Sequence, residues 1–386
     1  MSKTLTYLVL FLMLSIISFF YLGGKITDRK MNHVIDLKDY PISDRAEKLH
    51  SNLMVADLHA DNLLWDRDMA EENQYGMVDL SKLIAGNYAI QVFDAVIKSP
   101  KNLNYQSNND DSDNITLLAA ANRWPIRSWF SLYQRALYQS QILHAVSTNT
   151  TRLEIIRTQS DLAYFISQRK GNSFKIGGVL SIEGLHALEG DFDHLNGLFD
   201  AGYRIMGLVH FFDNEVGGSS AGQQQHGLTD FGKKIIREME KKQIIIDLAH
   251  ASSALITDVL AQASRPVIVS HTGVKGTFDS PRNLSDQQLI AIGENGGLVG
   301  IGFWEEAVGS IHPAAIAAAI KYTANLIGVA HVALGSDFDG GVTTSFDASK
   351  MIFLTEALIQ EGFSDNEINQ IMSGNEIEFL KQNLPN

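Results

Sequence analysis

Two short apolar runs that each end in a histidine contain the first residues whose types and spacing suggest chemistry. The runs are Ile244–His250 and Pro266–His271, and Ala251–Ala263 between them has the pattern of a short amphipathic helix. Apolar, β-branched runs of this length are typical of strands buried on both faces of a sheet. Successive strand–helix units end at the same sheet edge, so His250 and His271 are predicted to be neighbouring ligands of a metal site.

An ionisable or aromatic residue follows seven of the eight predicted strands. These residues are His59 with Asp61, Glu183, His210, His250, His271, Trp304 and Asp337. One polar residue after a strand carries little information, but several at the same edge of a sheet favour a shared site. Cysteine is absent from the chain, which excludes disulfides and thiolate ligands. Imidazole and carboxylate ligands suit Zn²⁺, and they also suit Mn²⁺, Fe²⁺ or Co²⁺.

The predicted ligands outnumber those of one catalytic zinc, which keeps about three protein ligands and an open position. They are His59, Asp61, Glu183, His250 and His271. This set fits two ions that share a carboxylate, with Glu183 as the natural bridge. Two ions about 3.5–4 Å apart can hold one water molecule and polarise a substrate carbonyl. With Asp337 as the general base and acid, the residues predict metal-assisted hydrolysis of an amide-like bond.

The elements that must position these residues are eight short strands that alternate with helices. The predicted strands are Leu53–Leu58, Tyr88–Phe93, Lys175–Ser181, Tyr203–Val209, Ile244–His250, Pro266–His271, Gly297–Phe303 and His331–Gly335. The clearest helices between them are Asp193–Ala201, Asp230–Lys242, Asp286–Asn295 and Pro313–Ile327. This alternation predicts an α/β fold, a (β/α)₈ TIM-type barrel of the metal-dependent hydrolase kind. A doubly wound open sheet is the alternative, because periodicity does not show closure.

Composition sets the limits of the domain organisation. The chain has 386 residues, 45% of them hydrophobic, and a net charge of −13 without a Lys/Arg-rich run. It is therefore predicted to be globular and not to bind nucleic acid. Residues 51–386 are predicted to form one barrel domain with a helical insertion around 98–168, where Leu117–Val146 and Arg152–Gln168 have helical patterns. Residues 28–50 are predicted to form a linker and a short helix.

Residues 1–27 are predicted to be a signal-anchor or transmembrane segment. Thr4–Gly24 carries no charge, and as a helix it spans roughly 31 Å, enough to cross the hydrocarbon core of a bilayer. No clear small-x-small cleavage site follows, which favours an uncleaved anchor over a cleaved signal peptide. Three basic residues follow the segment and one precedes it, which by the positive-inside rule alone favours a cytoplasmic domain. We give so few charges little weight and expect a membrane-anchored domain that faces the periplasm or the cell exterior.

Several motifs, in order and at strand ends, resemble those of a known family. They are Asp57–Asp61, Ser181–Gly184, Leu208–His210, Gly227–Gly232, Ile246–His250, Ser270–Gly273, Pro281–Asp286 and Gly335–Gly340. With them the chain resembles the membrane dipeptidases, also called renal dipeptidase-like, a zinc peptidase family on a metal-dependent hydrolase barrel. The resemblance implies two Zn²⁺ ions per chain. His59, Asp61 and Glu183 would hold one ion, and Glu183, His250 and His271 would hold the other.

The resemblance also implies roles for the remaining residues of the site. His210 would steady the substrate carbonyl and its oxyanion, and Asp337 would carry the proton. Arg282 would grip the C-terminal carboxylate of a dipeptide, a task that suits a planar bidentate donor. The expected activity is zinc-dependent hydrolysis of dipeptides by a metal-bridging hydroxide, often with a D-residue at the C-terminal position, in a homodimer.

Some features depart from the family pattern. Leu185 stands where many relatives have a second glycine, so the rim beside Glu183 is expected to differ. Mammalian relatives carry disulfides and a lipid anchor, whereas this chain has no cysteine and an apolar N-terminal segment, as expected of a bacterial-type member. The aromatic pair Phe303–Trp304 is expected near the substrate, and Asp339 is interpreted as a turn residue before Gly340.

Two other functions remain open from the sequence. Another dinuclear amidohydrolase would act on N-acyl amino acids, lactams or lactones. A barrel that binds peptide or metal without turnover belongs to a different class. Arg282 favours a substrate with a free carboxylate, and Asp337 favours turnover over binding alone, since binding needs no proton carrier.

Overall fold

A computed structural model describes residues 3–169 and 174–386. Its main sheet contains nine parallel strands, and we number in chain order the eight that follow one another around the barrel. They are β1 Val55–Ala60, β2 Tyr88–Val96, β3 Ile176–Glu183, β4 Tyr203–Gly207, β5 Ile245–Asp247, β6 Ile268–Thr272, β7 Leu298–Ile301 and β8 Val332–Leu334. Each strand pairs in parallel with the next. A parallel bridge between Ala60 and Phe338 joins β1 to the chain beyond β8, so the predicted α/β (β/α)₈ barrel is confirmed over the open sheet.

Helices surround the barrel and also extend from both of its chain ends. Their bounds are Lys3–Ser18, Gly24–Met31, Asp44–His50, Leu80–Ala85, Asn114–Ala121, Arg127–Phe130, Leu132–Asn149, Gln159–Arg169, His194–Asp200, Asp230–Lys241, Ser253–Leu260, Asp286–Glu294, Glu305–Val308, Pro313–Ile327, Ile352–Gln360, Asp365–Asn369 and Asn375–Asn383. The predicted helix Pro313–Ile327 is found with the same bounds. Polar side chains define several starts, as where Thr229 accepts a hydrogen bond from the Gly232 amide.

The insertion differs from its predicted secondary structure. Helical patterns were predicted to fill Leu117–Val146, and the chain there forms three helices separated by short breaks. Pro125 lacks an amide donor and disfavours a helical conformation at the residue before it, and Arg123 has a φ of 57°, so the helix ends there. The predicted helix Arg152–Gln168 also begins late, because Leu153–Ile155 instead pairs with β3 as an extra parallel strand.

The C-terminal helix Asn375–Asn383 closes the end of the barrel away from the site. Asn375 donates hydrogen bonds to the carbonyls of Val329 and Val332, where β8 begins. Ile377 and Leu380 of this helix join a buried cluster made mostly of strand residues. This end is therefore sealed by apolar packing, and the carboxyl ends of the strands are left to form the mouth.

The N-terminal segment is one continuous helical stretch. Lys3–Ser18, a π-helical turn at Phe19–Gly23 and Gly24–Met31 follow one another, and Lys3–Met31 is long and apolar enough to cross a membrane. Residues 1 and 2 of the predicted 1–27 segment lie outside the described residues. Within the predicted linker 28–50, a two-residue strand at His33–Val34 pairs in parallel with Thr343–Thr344. The predicted domain boundaries remain a prediction.

A buried histidine in the helix before β1 makes the stability of the fold depend on pH. His50 is 6% exposed, its Nδ1 lies 2.9 Å from the Thr355 hydroxyl, and burial lowers its pKa from 6.5 to about 4. The unfolded chain therefore binds more protons than the folded chain between these two pH values, and stability falls as the pH drops through this window.

We predict that His50→Gln removes this part of the acid sensitivity. Glutamine can still pair with Thr355 but does not titrate. Between pH 7.5 and 5, the wild-type chain should lose about 2 kcal/mol more unfolding free energy than the variant. Denaturant unfolding of both metal-free chains at the two pH values measures the difference. Equal losses would show that His50 is not held neutral in the folded state.

Candidate metal centre and active site

All eight predicted site residues meet at the carboxyl ends of the strands. Seven of them line one cavity of about 200 Å³, and they are Asp61, Glu183, His210, His250, His271, Arg282 and Asp337. The eighth, His59, lies in β1 and is 1% exposed. Drug-sized ligands usually need cavities of about 300–1,000 Å³, so this cavity suits a smaller molecule.

Glu183, the last residue of β3, lies at the centre of the site. Its Oε1 is 2.9 Å from His250 Nε2 and 3.4 Å from His271 Nε2, and its Oε2 is 3.0 Å from His210 Nε2. The same Oε1 is 4.0 Å from His59 Nε2. One carboxylate therefore faces four imidazoles that come from four different strands or strand ends.

His59 is surrounded by carboxylates. Its Nε2 lies 3.3 Å from Asp61 Oδ1 and 3.7 Å from Asp337 Oδ1, and its Nδ1 lies 4.0 Å from Asp94 Oδ1. Burial alone would lower the pKa of His59, but Asp61, Asp94 and Glu183 together raise it well above 6.5. The ring is thus held among negative groups in a space that water scarcely reaches.

Two buried aspartates fasten the strand ends that carry the histidines. Asp57 of β1 accepts hydrogen bonds from the amide and the hydroxyl of Ser336, which follows β8. Asp247 of β5 accepts from the amides of Ala249 and of Ser270 in β6. Each carboxylate links two strand ends at the rim of the site, and the loops beyond are fixed relative to each other.

His250 and Asp337 both have backbones in the left-handed region, with φ of 61° and 59°. Residues with a Cβ rarely adopt this conformation, and it persists where the surrounding structure imposes it. The His250 carbonyl accepts a 2.7 Å hydrogen bond from the Ser220 amide, and Asp337 is the residue after the fastened Ser336. The left-handed backbone at these two residues lowers the stability of the fold and directs both side chains into the cavity.

The electrostatics of the cavity disfavour its charged groups when only protein atoms are present. Burial raises the pKa of Glu183 and of Asp337 well above their usual values, and neighbouring carboxylates add to the shift. Burial lowers the pKa of His250 and His271 well below 6.5. Neutral imidazoles with free lone pairs beside crowded carboxylates are the form in which such residues bind metal cations.

The donor set fits metal ions. The described residues contain three compact groups of donors, and Glu183 belongs to all of them: His59–Glu183–His271, Glu183–His210–His250 and His59–Asp61–Asp94–Glu183. Both ring nitrogens of His59 and the Asp61 Oδ1 are buried without a hydrogen-bond partner. Ligand atoms about 2.0–2.1 Å from a tetrahedral ion lie about 3.3 Å from one another, close to several of the spacings here.

Arg282 and His210 are the two residues predicted to bind the substrate, and both are buried. Arg282 is 4% exposed; its Nη2 donates to the His271 carbonyl at 2.8 Å, while its Nε has no protein partner. His210 Nδ1 donates to the Lys98 carbonyl at 3.1 Å, which leaves a lone pair on Nε2 when the ring is neutral. Burial lowers the pKa of His210 to about 4.

Two residues near the site were missed or misread from the sequence. Asp94 was missed although it directly follows Phe93, where β2 was predicted to end; the strand continues to Val96 and carries the carboxylate that faces His59. Asp339 was interpreted as a turn residue, but its buried carboxylate accepts from two amides and pairs with Arg67. Residue alternation along β2 could have revealed Asp94, whereas nothing local could have revealed the partners of Asp339.

The sequence predicted only some of the other residues that line the cavity. Trp304 lines the cavity as expected, whereas Phe303 packs against Phe338 and Phe346 in the core. Leu185, expected at the rim, is 1% exposed and belongs to the main hydrophobic core. Met31, from the N-terminal segment, lines the cavity although no sequence pattern pointed to it.

A parallel α/β barrel with buried imidazoles and carboxylates around one shared glutamate defines a metal-dependent hydrolase. A sequence profile of the membrane dipeptidases, peptidase family M19, matches residues 43–384. The chain therefore belongs to the membrane dipeptidase family.

Relatives and solved structures agree with this assignment. The chain is 29% identical over 269 residues to dipeptidase verJ of Clonostachys rogersoniana, with 68% of each chain covered. It is 28% identical over 326 residues to dipeptidase tcpJ of Claviceps purpurea, covering 82% of this chain and 72% of the relative. A metallo peptidase from Rhodobacter sphaeroides, solved with a phosphinate mimic of the dipeptide L-Ala-D-Ala, has a TM-score of 0.69 at 21% identity over 86% of this chain and 99% of its own. That structural likeness shows the fold.

The position of Asp94 generates a prediction about metal affinity. Asp94 is 2% exposed, accepts a hydrogen bond from Ser181 and faces the Nδ1 of His59. Carboxylates that orient a ligand histidine typically change metal affinity by about 10–100-fold when they are removed. Asp94→Asn should therefore weaken Zn²⁺ binding by about this factor without lowering the number of ions bound at saturation.

Competition with a chelator, followed by elemental analysis, measures both quantities. Asp230→Asn is the matched control, because that carboxylate is 95% exposed and is not among the residues that line the cavity. A loss of one ion at saturation would show that Asp94 is itself a ligand. Unchanged affinity would show that Asp94 does not orient His59.

Proposed function

We propose that this protein is a dipeptidase that uses two zinc ions per chain. The observation that carries the proposal is the place of Glu183, which belongs to every compact donor group among the described residues. A carboxylate shared in this way is what a two-ion centre requires, since it can offer one oxygen to each ion. Membership in the membrane dipeptidase family supports the same activity.

The ligands proposed for one ion are His59, Asp61 and Glu183, and those for the other are Glu183, His250 and His271. The charges support a pair of ions. Asp61, Asp94, Glu183 and Asp337 are each at most 9% exposed and carry a formal charge of −4 when ionised, which two divalent cations balance. The compact donor groups also pair His271 with His59 and His210 with His250, and Glu183 is common to both pairs.

The ions, when bound, would lower the pKa of a water molecule and polarise the scissile carbonyl. The Asp337 carboxylate takes the proton from the attacking water and hands it to the amine nitrogen as the C–N bond breaks. His210 steadies the carbonyl oxygen as negative charge develops on it. Because Nδ1 donates to Lys98, Nε2 can donate to that oxygen only when the ring is protonated, which the developing charge favours.

Arg282 selects the substrate by its C-terminal carboxylate. Its buried guanidinium lines the cavity and keeps a donor, Nε, without a protein partner. A carboxylate can satisfy that donor with a charge-assisted hydrogen bond. The dipeptide mimic bound by the Rhodobacter relative ends in a D-residue, and we propose that this chain also accepts dipeptides with a D-residue at the C-terminal position.

We further propose that the chain is a bacterial-type member, anchored in a membrane by its N-terminal helix and facing the periplasm or the cell exterior. The continuous helix Lys3–Met31, whose apolar window has no part buried, supports the anchor. The absence of cysteine supports the bacterial type. A homodimer is proposed from the family resemblance alone.

Asp337→Asn tests the role of the proton carrier. Asparagine tolerates the left-handed backbone that Asp337 adopts, so the loop should keep its shape. We expect turnover to fall by about 10²–10⁴-fold, because a general base is lost, while zinc content stays near two per chain. Loss of zinc with turnover would show that Asp337 is a ligand and not the proton carrier.

A hydrolysis screen tests the substrate class. L-L and L-D dipeptides should be cleaved and lose activity with a chelator, whereas N-acyl amino acids, lactams and C-amidated dipeptides should react poorly. Arg282→Lys should lower kcat/KM for free dipeptides by about 10–100-fold, because one bidentate, charge-assisted contact becomes a point contact. The same variant should change little for C-amidated dipeptides. Preferential cleavage of lactams or N-acyl compounds by the wild type would favour another amidohydrolase activity.

A further inference from the structure

The segment that follows the apolar N-terminal helix lies across the mouth of the barrel, and we call residues 24–35 the strap. Its backbone pairs with the chain after β8: the His33 amide donates to Val342 and the Ile35 amide donates to Thr344, at 3.2 and 2.8 Å. Asn32 accepts a 2.9 Å hydrogen bond from the Gly341 amide. The strap is thus attached along the loop that begins with the catalytic Asp337.

A buried ion triad fastens the strap more firmly. Arg67 Nε lies 3.0 Å from Asp28 Oδ2 of the strap, and Arg67 Nη2 lies 2.7 Å from Asp339 Oδ2. The three side chains are 3%, 2% and 0% exposed. Since removing one member of a buried charge group leaves the others uncompensated, the triad resists detachment of the strap. Asp339 is two residues after Asp337, so the fastening point belongs to the active-site loop itself.

The strap also places an apolar side chain in the cavity. Met31 lines it beside Gly341 and Val342, and a Cβ added to Gly341 would lie 2.9 Å from Met31 Cε. The adjoining apolar residues of the lining are Leu64, Trp65, Val96, Leu103 and Ile115. Met31 is 45% exposed at the mouth, so an apolar ligand group would cover a thioether that now faces water.

The two ends of a dipeptide can be assigned to different sectors of this mouth. The apolar residues beside the strap lie at the end of β1 or β2 or beyond it, and the strap itself pairs with the chain after β8; these three strands neighbour one another around the barrel. Phe211 and Trp304, which also line the cavity, follow β4 and β7. Arg282, which would hold the C-terminal carboxylate, follows β6, at least two strands away from that sector. A dipeptide held by Arg282 therefore directs its N-terminal residue toward the strap.

We propose that the strap forms one wall of an apolar subsite for the N-terminal side chain of the dipeptide, and that Met31 limits the size of that side chain. This inference rests on the proposed dipeptidase activity. It makes the segment after the membrane helix a part of the substrate site. Processing of the chain within residues 3–23 would preserve this wall, whereas processing after Met31 would remove it.

The test is a specificity profile of the full chain in detergent with zinc. The substrates are two dipeptide series, one varied at the N-terminal position from Ala through Leu to Phe and one varied in the same way at the C-terminal position. Met31→Ala should raise kcat/KM for Phe-Ala relative to Ala-Ala by about tenfold and leave the Ala-Phe to Ala-Ala ratio unchanged. Met13→Ala is the matched control, because Met13 lies in the apolar helix away from the cavity.

A second variant separates a substrate wall from a purely structural strap. Asp28→Asn should loosen the strap and speed trypsin cleavage after Lys25, Arg29 or Lys30. It should also raise KM for Leu-Ala, by a factor several-fold larger than the factor by which kcat falls. Binding of two phosphinate dipeptide mimics, which differ only in the N-terminal side chain, should follow the same preference as cleavage in wild type and Met31→Ala.

The outcomes distinguish the two proposals. An unchanged specificity ratio in Met31→Ala, with an active wild type, overturns the subsite and leaves the dipeptidase standing. A change confined to the C-terminal series overturns the assignment of the strap to the N-terminal residue. A wild type that cleaves no dipeptide overturns the dipeptidase, and the mimics then still report whether Met31 contacts a bound side chain.

Discussion

The structure depends on one electrostatic constraint: four carboxylates and four imidazoles are buried together around Glu183. Burial removes these carboxylates from bulk water and disfavours their charged forms when no cation is present. It therefore raises the pKa of Glu183 and Asp337. Burial holds the imidazoles of His210, His250 and His271 neutral, with lone pairs available, whereas the carboxylates around His59 raise its pKa. The arrangement is unfavourable as a protein core and favourable as a metal centre, so the surrounding barrel has to impose it.

The barrel imposes it through strand ends and not through the loops alone. Asp57 links the ends of β1 and β8, and Asp247 links the ends of β5 and β6, each by hydrogen bonds to backbone amides. These links hold the strained backbones of His250 and Asp337 in the left-handed region. Every candidate ligand therefore lies in a strand or within three residues of the end of one, where the sheet fixes its position.

This dependence on strand ends explains what the sequence could predict. Buried strands are recognisable in the sequence as apolar runs. An ionisable residue at the end of such a run lies at the mouth of a parallel barrel, as Glu183 and His271 do. The sequence prediction missed Asp94, although this residue directly follows the apolar run that ends at Phe93, and it did not place the break in the helical pattern at Pro125. Spacing along the sequence also does not show how the imidazoles group around metal ions, because that grouping depends on distances of a few ångströms.

Asp339 shows the deeper reason why part of the site stays hidden in a sequence. Its local context, an aspartate before glycine with a φ of 64°, is fully explained by a turn, and that explanation is correct as far as it goes. Its carboxylate nevertheless binds the amides of Met77 and Val78 and the guanidinium of Arg67, partners more than two hundred and fifty positions away along the chain. A residue that satisfies a local rule gives no sign of a second, distant role. Here that second role joins the N-terminal strap, through Asp28 and Arg67, to the loop that contains Asp337. The same buried charges therefore hold both the segment that follows the apolar helix and one wall of the cavity.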